Sequence, residues 1–227
     1  MKEFYNNLQR LLFPLFRPFG HLEFVLKLER FVHLRELPNS PLSISPTTEE
    51  AYRVIFTMLE QVLATHVDSK YLHLGCDEVY GLGTGRSGHY MKEHGLDKED
   101  LYLKHVVKMA KHVRSLRSDV TLIIWDDMLR HIAESKLRDS GIGEMVEPMI
   151  WTYVPNLGGV KAPAIWTKYG KVFKRAWAAS SFKGATGPAQ YITEAAYHIK
   201  NHISWDRAFE EICRWYKSNS SCQRHCI

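Results

Sequence analysis

The stretch Tyr71-Leu-His-Leu-Gly-Cys-Asp-Glu-Val-Tyr80 carries the strongest signal in this chain. It predicts an apolar strand that runs directly into two adjacent carboxylates, Asp77 and Glu78, followed by a glycine-rich loop. Adjacent acids repel each other and usually lie in solvent. At the exit of a buried strand, they are instead expected to have shifted pKa values and to carry acid–base chemistry. The alternative is that the pair simply begins a solvated loop.

Side-chain alternation along this strand predicts which residues face inward. His73, Gly75 and Asp77 share one face of a regular strand, so Asp77 is expected to point into the protein. Glu78 can point the same way only if the strand is already ending, and the glycines that follow make such an ending plausible. Two acids so placed suit sugar hydrolysis in which the substrate's own 2-acetamido oxygen attacks, because neighbours on one strand cannot easily flank a glycosidic bond.

The order of apolar runs predicts an α/β fold. Short, unalternating strands are expected at Tyr71–Glu78, Val120–Trp125, Pro148–Tyr153 and Arg175–Ser180, and residues 11–16 form either a fifth strand or part of a helix. Helices are expected from a Thr47/Glu50 capping box onward, and over 98–116, 133–139, 163–173, 193–203 and 205–217. Apolar strands separated by helices indicate parallel strands buried on both faces.

A (β/α)8 TIM barrel is favoured over a doubly wound sheet. Polar and aromatic residues follow several strands, as they do at the carboxyl ends of barrel strands, and no Gly-x-Gly-x-x-Gly follows a first strand. A full barrel needs eight strands and about 250 residues. The chain has 227 residues and about five predicted strands, so the barrel is expected to be incomplete, lacking its first two units and its last.

Aromatic residues near the strand ends predict the walls of a sugar site. Trp125, Trp151 and Trp177 each lie near the end of a predicted strand, and Tyr153 follows closely. Sugar C–H faces pack on such rings, although a single tryptophan is more often part of a core. Two further acids, Asp126 and Asp127, either orient hydroxyl groups or, as we favour, cap the turn that follows Trp125.

A metal ion and a nucleic acid have weaker support as ligands than a sugar has. His21 follows another apolar run and is either a structural residue or a partner of the acid pair. The alternating directions of His73, Cys76, Asp77 and Glu78 argue against their convergence on one metal ion. Cys222, His225 and Cys226 lack the second pair of ligands that a zinc site needs. The +5 charge is spread along the chain without a basic block, so we expect no nucleic-acid partner.

No membrane partner and no secretion signal are expected either. The N-terminal apolar run is about six residues long and is interrupted by Pro14, too short for a signal peptide or a membrane span. The four cysteines show no regular disulfide framework, which favours a reducing compartment.

Several long motifs resemble the family 20 glycoside hydrolases, the β-N-acetylhexosaminidases. The segment His73–Val79 is similar to the Asp-Glu signature of that family. Three further segments resemble its hexosaminidase D-like branch, namely Phe19–Lys27, Trp125–Arg130 and Trp177–Pro188. The resemblance covers roughly residues 14–205, with an uncertain segment at 1–13 and an unmatched helical or disordered tail at 206–227.

The resemblance implies specific roles. Glu78 would be the general acid/base, Asp77 would bind the acetamido N–H, and His21 would lie behind the pair. Trp125, Trp151, Tyr153 and Trp177 would line the sugar site. It implies hydrolysis of terminal β-linked N-acetylglucosamine or N-acetylgalactosamine without metal or organic cofactor, in the cytoplasm or nucleus.

Two departures from the family pattern leave an alternative open. The match begins near the third barrel strand, and it lacks the eighth strand with which family members end, together with its tryptophan and polar sugar ligands. Thr152 also stands where an aspartate is expected. The chain could therefore be an inactive, truncated relative that binds sugar or a partner. An open barrel would also expose apolar edges, which favours association with another copy.

Overall fold

The computed structural model describes residues 14–157, 163–181, 186 and 189–218. A parallel four-stranded sheet forms its centre, and its strands are β3 (Tyr71–His73), β4 (Thr121–Trp125), β5 (Glu147–Trp151) and β6 (Trp177–Ala179). They lie side by side in chain order, with Tyr71 opposite Thr121, Ile123 opposite Glu147 and Met149 opposite Trp177. Sequential order without reversal is the order of a barrel and not of a doubly wound sheet, so the fold is an incomplete (β/α)8 barrel.

Residues 14–16 lie along the free edge of β3. Leu15 forms an isolated parallel bridge with His73, the N–H of Phe16 donates to the His73 carbonyl, and the His73 N–H donates to that of Pro14. Of the five predicted strands, four therefore form the sheet and this segment adds one bridge. The helical stripe considered for the N-terminus lies mostly outside the described residues.

Helices connect consecutive strands of the parallel sheet, and further helices precede and follow it. The α-helices in the described residues are α1 (Glu23–Leu26), α2 (Glu49–Thr65), α3 (Arg86–His94), α4 (Lys98–Leu116), α5 (Glu134–Asp139), α6 (Pro163–Val172) and α7 (Ala195–Ser218). The apolar face of α2 buries Ile55, Leu59 and Leu63, and α4 buries Val106, Met109 and Val113 in the same core. The expected bounds of α4 are confirmed, and its first turn carries an Asp97/Asp100 capping box.

The start of α2 differs from the prediction. Thr48, and not Thr47, is the N-cap residue, and its hydroxyl accepts a hydrogen bond from the N–H of Ala51. Thr48 has the extended backbone that an N-cap requires, whereas the hydroxyl of Thr47 lies 3.2 Å from that of Ser45.

A β-hairpin was not expected from the sequence. Strands β1 (Arg35–Leu37) and β2 (Ser40–Ile44) pair antiparallel near the acid-bearing loop. The buried carboxylate of Glu36 in this hairpin accepts hydrogen bonds from the N–H groups of Gly85 and Ser87 and from the Ser87 hydroxyl. Glu36 thereby satisfies free N–H groups at the start of α3, a helix that the sequence analysis also missed.

The described residues at the C-terminal end form one helix, α7, and the prediction of two helices was wrong. We had expected an interruption near Ser204, but α7 continues through it. The Ser204 hydroxyl donates to the Pro155 carbonyl, and the Trp205 indole N–H donates to the Thr152 carbonyl at 3.1 Å. These residues attach the helix to the loop after β5, and the boundary expected at residue 205 falls inside the helix. None of the described helices is long and apolar enough to span a membrane.

Candidate active site

The backbone after β3 leaves regular strand geometry before it reaches the acids. Ladder bonds to β4 continue as far as Gly75, whose carbonyl accepts from the N–H of Trp125. Gly75, Cys76 and Glu78 then have φ values of +61°, +64° and +44°. The prediction of a strand through Glu78 was therefore wrong, because these left-handed residues end the alternation of side chains.

The result is nevertheless a buried Asp77 beside an accessible Glu78. The side chain of Asp77 is 10% exposed and that of Glu78 is 57% exposed. Cys76 is buried away from them, its thiol bonded to the Leu74 carbonyl and its own carbonyl bonded to the Tyr102 hydroxyl. A positive φ is energetically costly for a residue other than glycine. Two such residues in one short loop, Cys76 and Glu78, are typical of a functional site.

His21 lies between the two acids. Its Nε2 atom is 3.5 Å from Oδ2 of Asp77 and 3.4 Å from Oε2 of Glu78. His21 itself has a φ of +55°. The preceding Phe19 is fully buried and packs on the ring of His105 at a centroid distance of 4.2 Å, which anchors the turn to α4. The expected partner of the acid pair is thus in contact with both carboxylates.

Close backbone packing holds the His21 turn against the acid loop. A Cβ atom added to Gly20 would lie 2.9 Å from the carbonyl oxygen of Asp77 and 3.4 Å from that of Glu78. Both neighbours are backbone atoms, which cannot move aside as a flexible side chain can. A glycine at position 20 is therefore what allows His21 to approach the pair.

Arg17 also faces Asp77. Its Nη2 atom lies 3.5 Å from Oδ2 of the carboxylate, and its side chain is 31% exposed. Burial raises the pKa of the Asp77 carboxyl above its ordinary value, and Arg17 is the main group that opposes this rise. The nearby His21 lowers the pKa further, whereas the charge of Asp127 raises it.

Asp127 joins the acid loop to the aromatic residues. Its Oδ2 accepts a 3.0 Å hydrogen bond from the backbone N–H of Glu78, and its Oδ1 accepts one of 3.2 Å from the Trp151 indole. A single carboxylate thus orients both the Glu78 backbone and one candidate wall of the site. We had favoured a turn-capping role for this residue, and its contacts show a different one.

Asp126 does stabilise the turn after β4. Its carbonyl accepts from the N–H groups of Leu129 and Arg130, and its buried carboxylate forms a double hydrogen bond with the Arg130 guanidinium. The same carboxylate accepts from the backbone N–H of Trp151. The preference for a turn role was correct for this residue of the two.

Three of the four predicted aromatic residues lie together. The rings of Trp125 and Trp151 meet edge to face at 6.5 Å, and Tyr153 lies 5.1 Å beyond Trp151. Trp125 also packs on the ring of His73 at 4.4 Å. Burial raises the pKa of the Tyr153 hydroxyl, with Asp77 as the next cause, so this ring is electrostatically coupled to the acid site.

The sequence predicts that Trp177 lies near the carboxyl end of a strand, and the structure differs. Trp177 is the first residue of β6, its indole N–H donates to the Glu147 carboxylate at 2.7 Å, and its ring meets that of Tyr71 at 5.5 Å. Glu147 and Tyr71 begin β5 and β3. Trp177 therefore lies toward the opposite strand ends from the acid pair, because β6 begins two residues later than predicted.

A cavity of about 500 Å³ adjoins the acid loop. The residues after Glu78 line one side of it, and Tyr102, Met128 and Ile132 line another. Neither acid nor His21 contributes to its lining. It is thus a neighbouring apolar space and not the acid site itself.

Donor atoms that could hold a metal ion converge at one place in the described parts of the chain. The atoms come from His21, Asp77 and Glu78 and lie within 4.8 Å of one another. This set differs from His73, Cys76, Asp77 and Glu78, which the sequence predicts not to converge on one metal ion. The Arg17 guanidinium, 3.5 Å from Asp77, opposes a cation there by charge repulsion.

Of the residues in this site, Arg17 was not predicted from the sequence, and Asp127 was assigned to a turn in preference to the site. The position of Asp127 directly after β4 was a usable signal, because parallel strands bring their carboxyl ends together. Arg17 had no comparable signal. Its contact with Asp77 depends on the pairing of residues 14–16 with His73, which is not a regular strand pairing.

Comparisons with known proteins agree with this fold and indicate a family. A family model described as glycosyl hydrolase family 20, catalytic domain, matches residues 29–155. Hexosaminidase D from Homo sapiens and hexosaminidase D from Bos taurus are each 40% identical to the chain over 194 residues, which is 85% of it. The chain spans only 40% of the human protein and 56% of the bovine one.

A solved structure supports the same architecture. The β-N-acetylhexosaminidase from Bacteroides fragilis superposes with a TM-score of 0.54 at 15% identity, over 78% of this chain and 36% of that one. At this identity the likeness concerns the fold alone. Because the family model covers more than half of the residues, including both acids, the chain belongs to glycosyl hydrolase family 20.

Proposed function

We propose that the chain, or the protein of which it is part, hydrolyses terminal non-reducing N-acetylhexosamine residues from β-glycosides with retention of configuration. Residues 14–205 supply the catalytic unit of this proposal. The observation that carries it is the contact of His21 with both Asp77 and Glu78 at 3.4–3.5 Å. This contact places two carboxyl groups of different exposure at one point of the barrel rim.

Glu78 is proposed as the general acid/base. Its side chain is the more exposed of the two and can therefore reach the glycosidic oxygen of a bound sugar. The hydrogen bond from its N–H to Asp127 and the contact with His21 restrict its position. Glu78 would donate a proton to the departing oxygen and later remove one from the attacking water.

Asp77 is proposed to orient the acetamido group. Its Oδ1 atom is buried and has no hydrogen-bond partner in the described parts of the chain, while Oδ2 faces Arg17 and His21. A free buried acceptor of this kind fits the N–H of a 2-acetamido group. With the N–H held, the acetamido oxygen can attack the anomeric carbon, and the Asp77 carboxylate stabilises the positive charge that develops on the ring.

Trp125, Trp151 and Tyr153 are proposed to contact the sugar. They form one connected group of rings, and the Asp127 contact ties Trp151 to the backbone of Glu78. The Trp125 indole N–H is buried and has no hydrogen-bond partner within the ranges that the structure describes, so it can donate to a sugar hydroxyl. Trp177 is not included because its contacts lie toward the other strand ends.

Release of nitrophenol from 4-nitrophenyl N-acetyl-β-glucosaminide and from the galactosaminide tests this proposal. We expect turnover by the wild type and loss of nearly all of it in Glu78→Gln. Glu93→Gln, which changes an exposed glutamate of α3, is the matched control and should retain activity. An active wild type whose Glu78→Gln variant keeps its rate would refute the role of Glu78.

The second candidate is a sugar-binding relative without turnover. It is favoured by the four-stranded sheet in the described residues and by the 40% of the human hexosaminidase D length that the chain spans. A folded wild type that binds a thiazoline mimic of the cyclised acetamide, but releases no nitrophenol, would support this candidate.

The same mimic tests Asp77. Asp77→Asn should weaken its binding, whereas the exposed Asp139→Asn should not. Equal affinity of Asp77→Asn and wild type would exclude the proposed contact between Asp77 and the acetamido group.

A further inference from the structure

Arg17 reaches Asp77 through space that a glycine leaves open. Residues 14–16 run beside β3, so Arg17 emerges next to Gly75, which has a φ of +61°. A Cβ atom at position 75 would lie 2.8 Å from Cγ of Arg17. The absence of a side chain at Gly75 therefore makes room for the aliphatic part of the arginine, and the packing guides the guanidinium toward the acid loop.

The guanidinium approaches the Asp77 carboxylate at Oδ2. Nη2 is 3.5 Å from Oδ2, and Nε2 of His21 lies at the same distance from that atom. The other oxygen, Oδ1, is buried and has no hydrogen-bond partner among the described residues. Two nitrogen-bearing side chains thus engage one oxygen, and the second oxygen remains available.

We propose that Arg17 is a positioning residue that holds Asp77 ionised and anchored through Oδ2, so that Oδ1 is presented to the ligand. The role of Oδ1 rests on the function proposed above. The anchoring of the carboxylate by Arg17 does not rest on that function, since it depends only on the contacts within the protein.

Charge explains why such an anchor is needed. Burial favours the protonated form of Asp77, and a protonated carboxyl would not stabilise a developing positive charge. Arg17 is the largest opposing influence on this carboxyl. The other titratable groups that act on Asp77 or are acted on by it are His21, Cys76, Tyr102, Asp127 and Tyr153. A carboxylate oxygen of Glu78 also lies within 4.8 Å of one of Asp77.

Titration of the Asp77 carboxyl tests the proposal without turnover. The full chain is labelled with ¹³Cγ-aspartate, and the Asp77 resonance is assigned by its loss in Asp77→Asn. We expect the pKa of Asp77 to rise by about one unit in Arg17→Gln and in Arg17→Met, which keeps the stem against Gly75. Arg17→Lys should restore most of the wild-type value. Arg53→Gln, at an exposed arginine, is the matched control and should leave the pKa of Asp77 unchanged.

The result that overturns the proposal is an Asp77 pKa that is the same in wild type and in whichever uncharged Arg17 variant folds. Affinity for the thiazoline mimic, measured against pH, is the second readout. Its acidic limb should move to higher pH by about one unit in Arg17→Met. A wild type that binds no thiazoline refutes the proposed function, yet the carboxyl titration still decides the role of Arg17.

Discussion

The carboxylate of Asp127 accepts the backbone N–H of Glu78 at 3.0 Å, across two neighbouring strands. Glu78 has a φ of +44°, an unfavourable backbone conformation for a glutamate, so an external hydrogen bond is well placed to stabilise it. The other oxygen of Asp127 accepts the Trp151 indole N–H. Asp127 thus couples the proposed general acid to the aromatic wall.

We predict that Asp127→Ala lowers kcat/KM by about 10- to 100-fold, because a hydrogen bond to a charged group contributes about 1.5–3 kcal/mol. Asp127→Asn keeps one acceptor oxygen and should lose less. Nitrophenol release gives the rates, and circular dichroism checks the fold. An alanine variant with wild-type kcat/KM would show that Asp127 does not position Glu78.

Gly20→Ala should disturb the acid loop itself. The new methyl group would meet the carbonyl oxygen of Asp77 at 2.9 Å, and we expect a loss of about 1–3 kcal/mol of stability together with weaker thiazoline binding. Gly95→Ala is the control, since Gly95 has a φ of +63° but no atom within 4 Å of an added Cβ. It should lose stability while binding the mimic normally. Equal thiazoline binding by Gly20→Ala and Gly95→Ala would show that the packing of Gly20 on the Asp77 carbonyl does not matter for the acid loop.

Buried His105 makes the stability of the fold sensitive to acid. Burial lowers its pKa from 6.5 to about 3, so the folded state holds it neutral while the unfolded chain takes up a proton below pH 6.5. Its stabilising contribution is complete above pH 6.5 and falls as the pH drops toward 3. The free energy of unfolding should decrease from this residue by up to about 1.4 kcal/mol per pH unit.

Urea unfolding at a series of pH values measures this slope. His105→Gln removes the titrating group and should flatten the slope between pH 6 and 4.5 by about 1 kcal/mol per unit. The exposed His89→Gln should follow the wild type. If His105→Gln and wild type show the same slope, the acid sensitivity does not come from His105.

Asn201 attaches α7 to the loops at the carboxyl ends of β5 and β6. The fully buried side chain donates to the carbonyls of Thr152 and Val154 and accepts the N–H of Ser181. Asn201→Ala removes three hydrogen bonds to backbone groups, of which the Ser181 N–H is buried, and should cost about 2–4 kcal/mol in urea unfolding. Lys200→Ala, on the exposed side of the same helix, should cost little. A small loss in Asn201→Ala would mean that water replaces these bonds.

The four strands of the parallel sheet, several helices and the acid pair could be predicted from the sequence because their signals are local. A run such as Thr121–Trp125 is apolar without alternation, and α4 has regular apolar spacing and a cap. Adjacent carboxylates after an apolar run likewise form a pattern within ten residues. The partial barrel and the position of Asp77 and Glu78 followed from these patterns.

The sequence by itself therefore determined the order of the four parallel strands and of the helices α2, α4, α5 and α6, and the carboxyl end at which the two acids emerge. Only the tertiary structure decided that Arg17, His21 and Asp127 meet those acids, and that Trp177 lies toward the other strand ends. Periodicity specifies which face of an element is buried. It does not specify how far a strand extends, where φ turns positive or which distant residue fills the adjoining space, since these depend on the pairing and packing of the whole sheet.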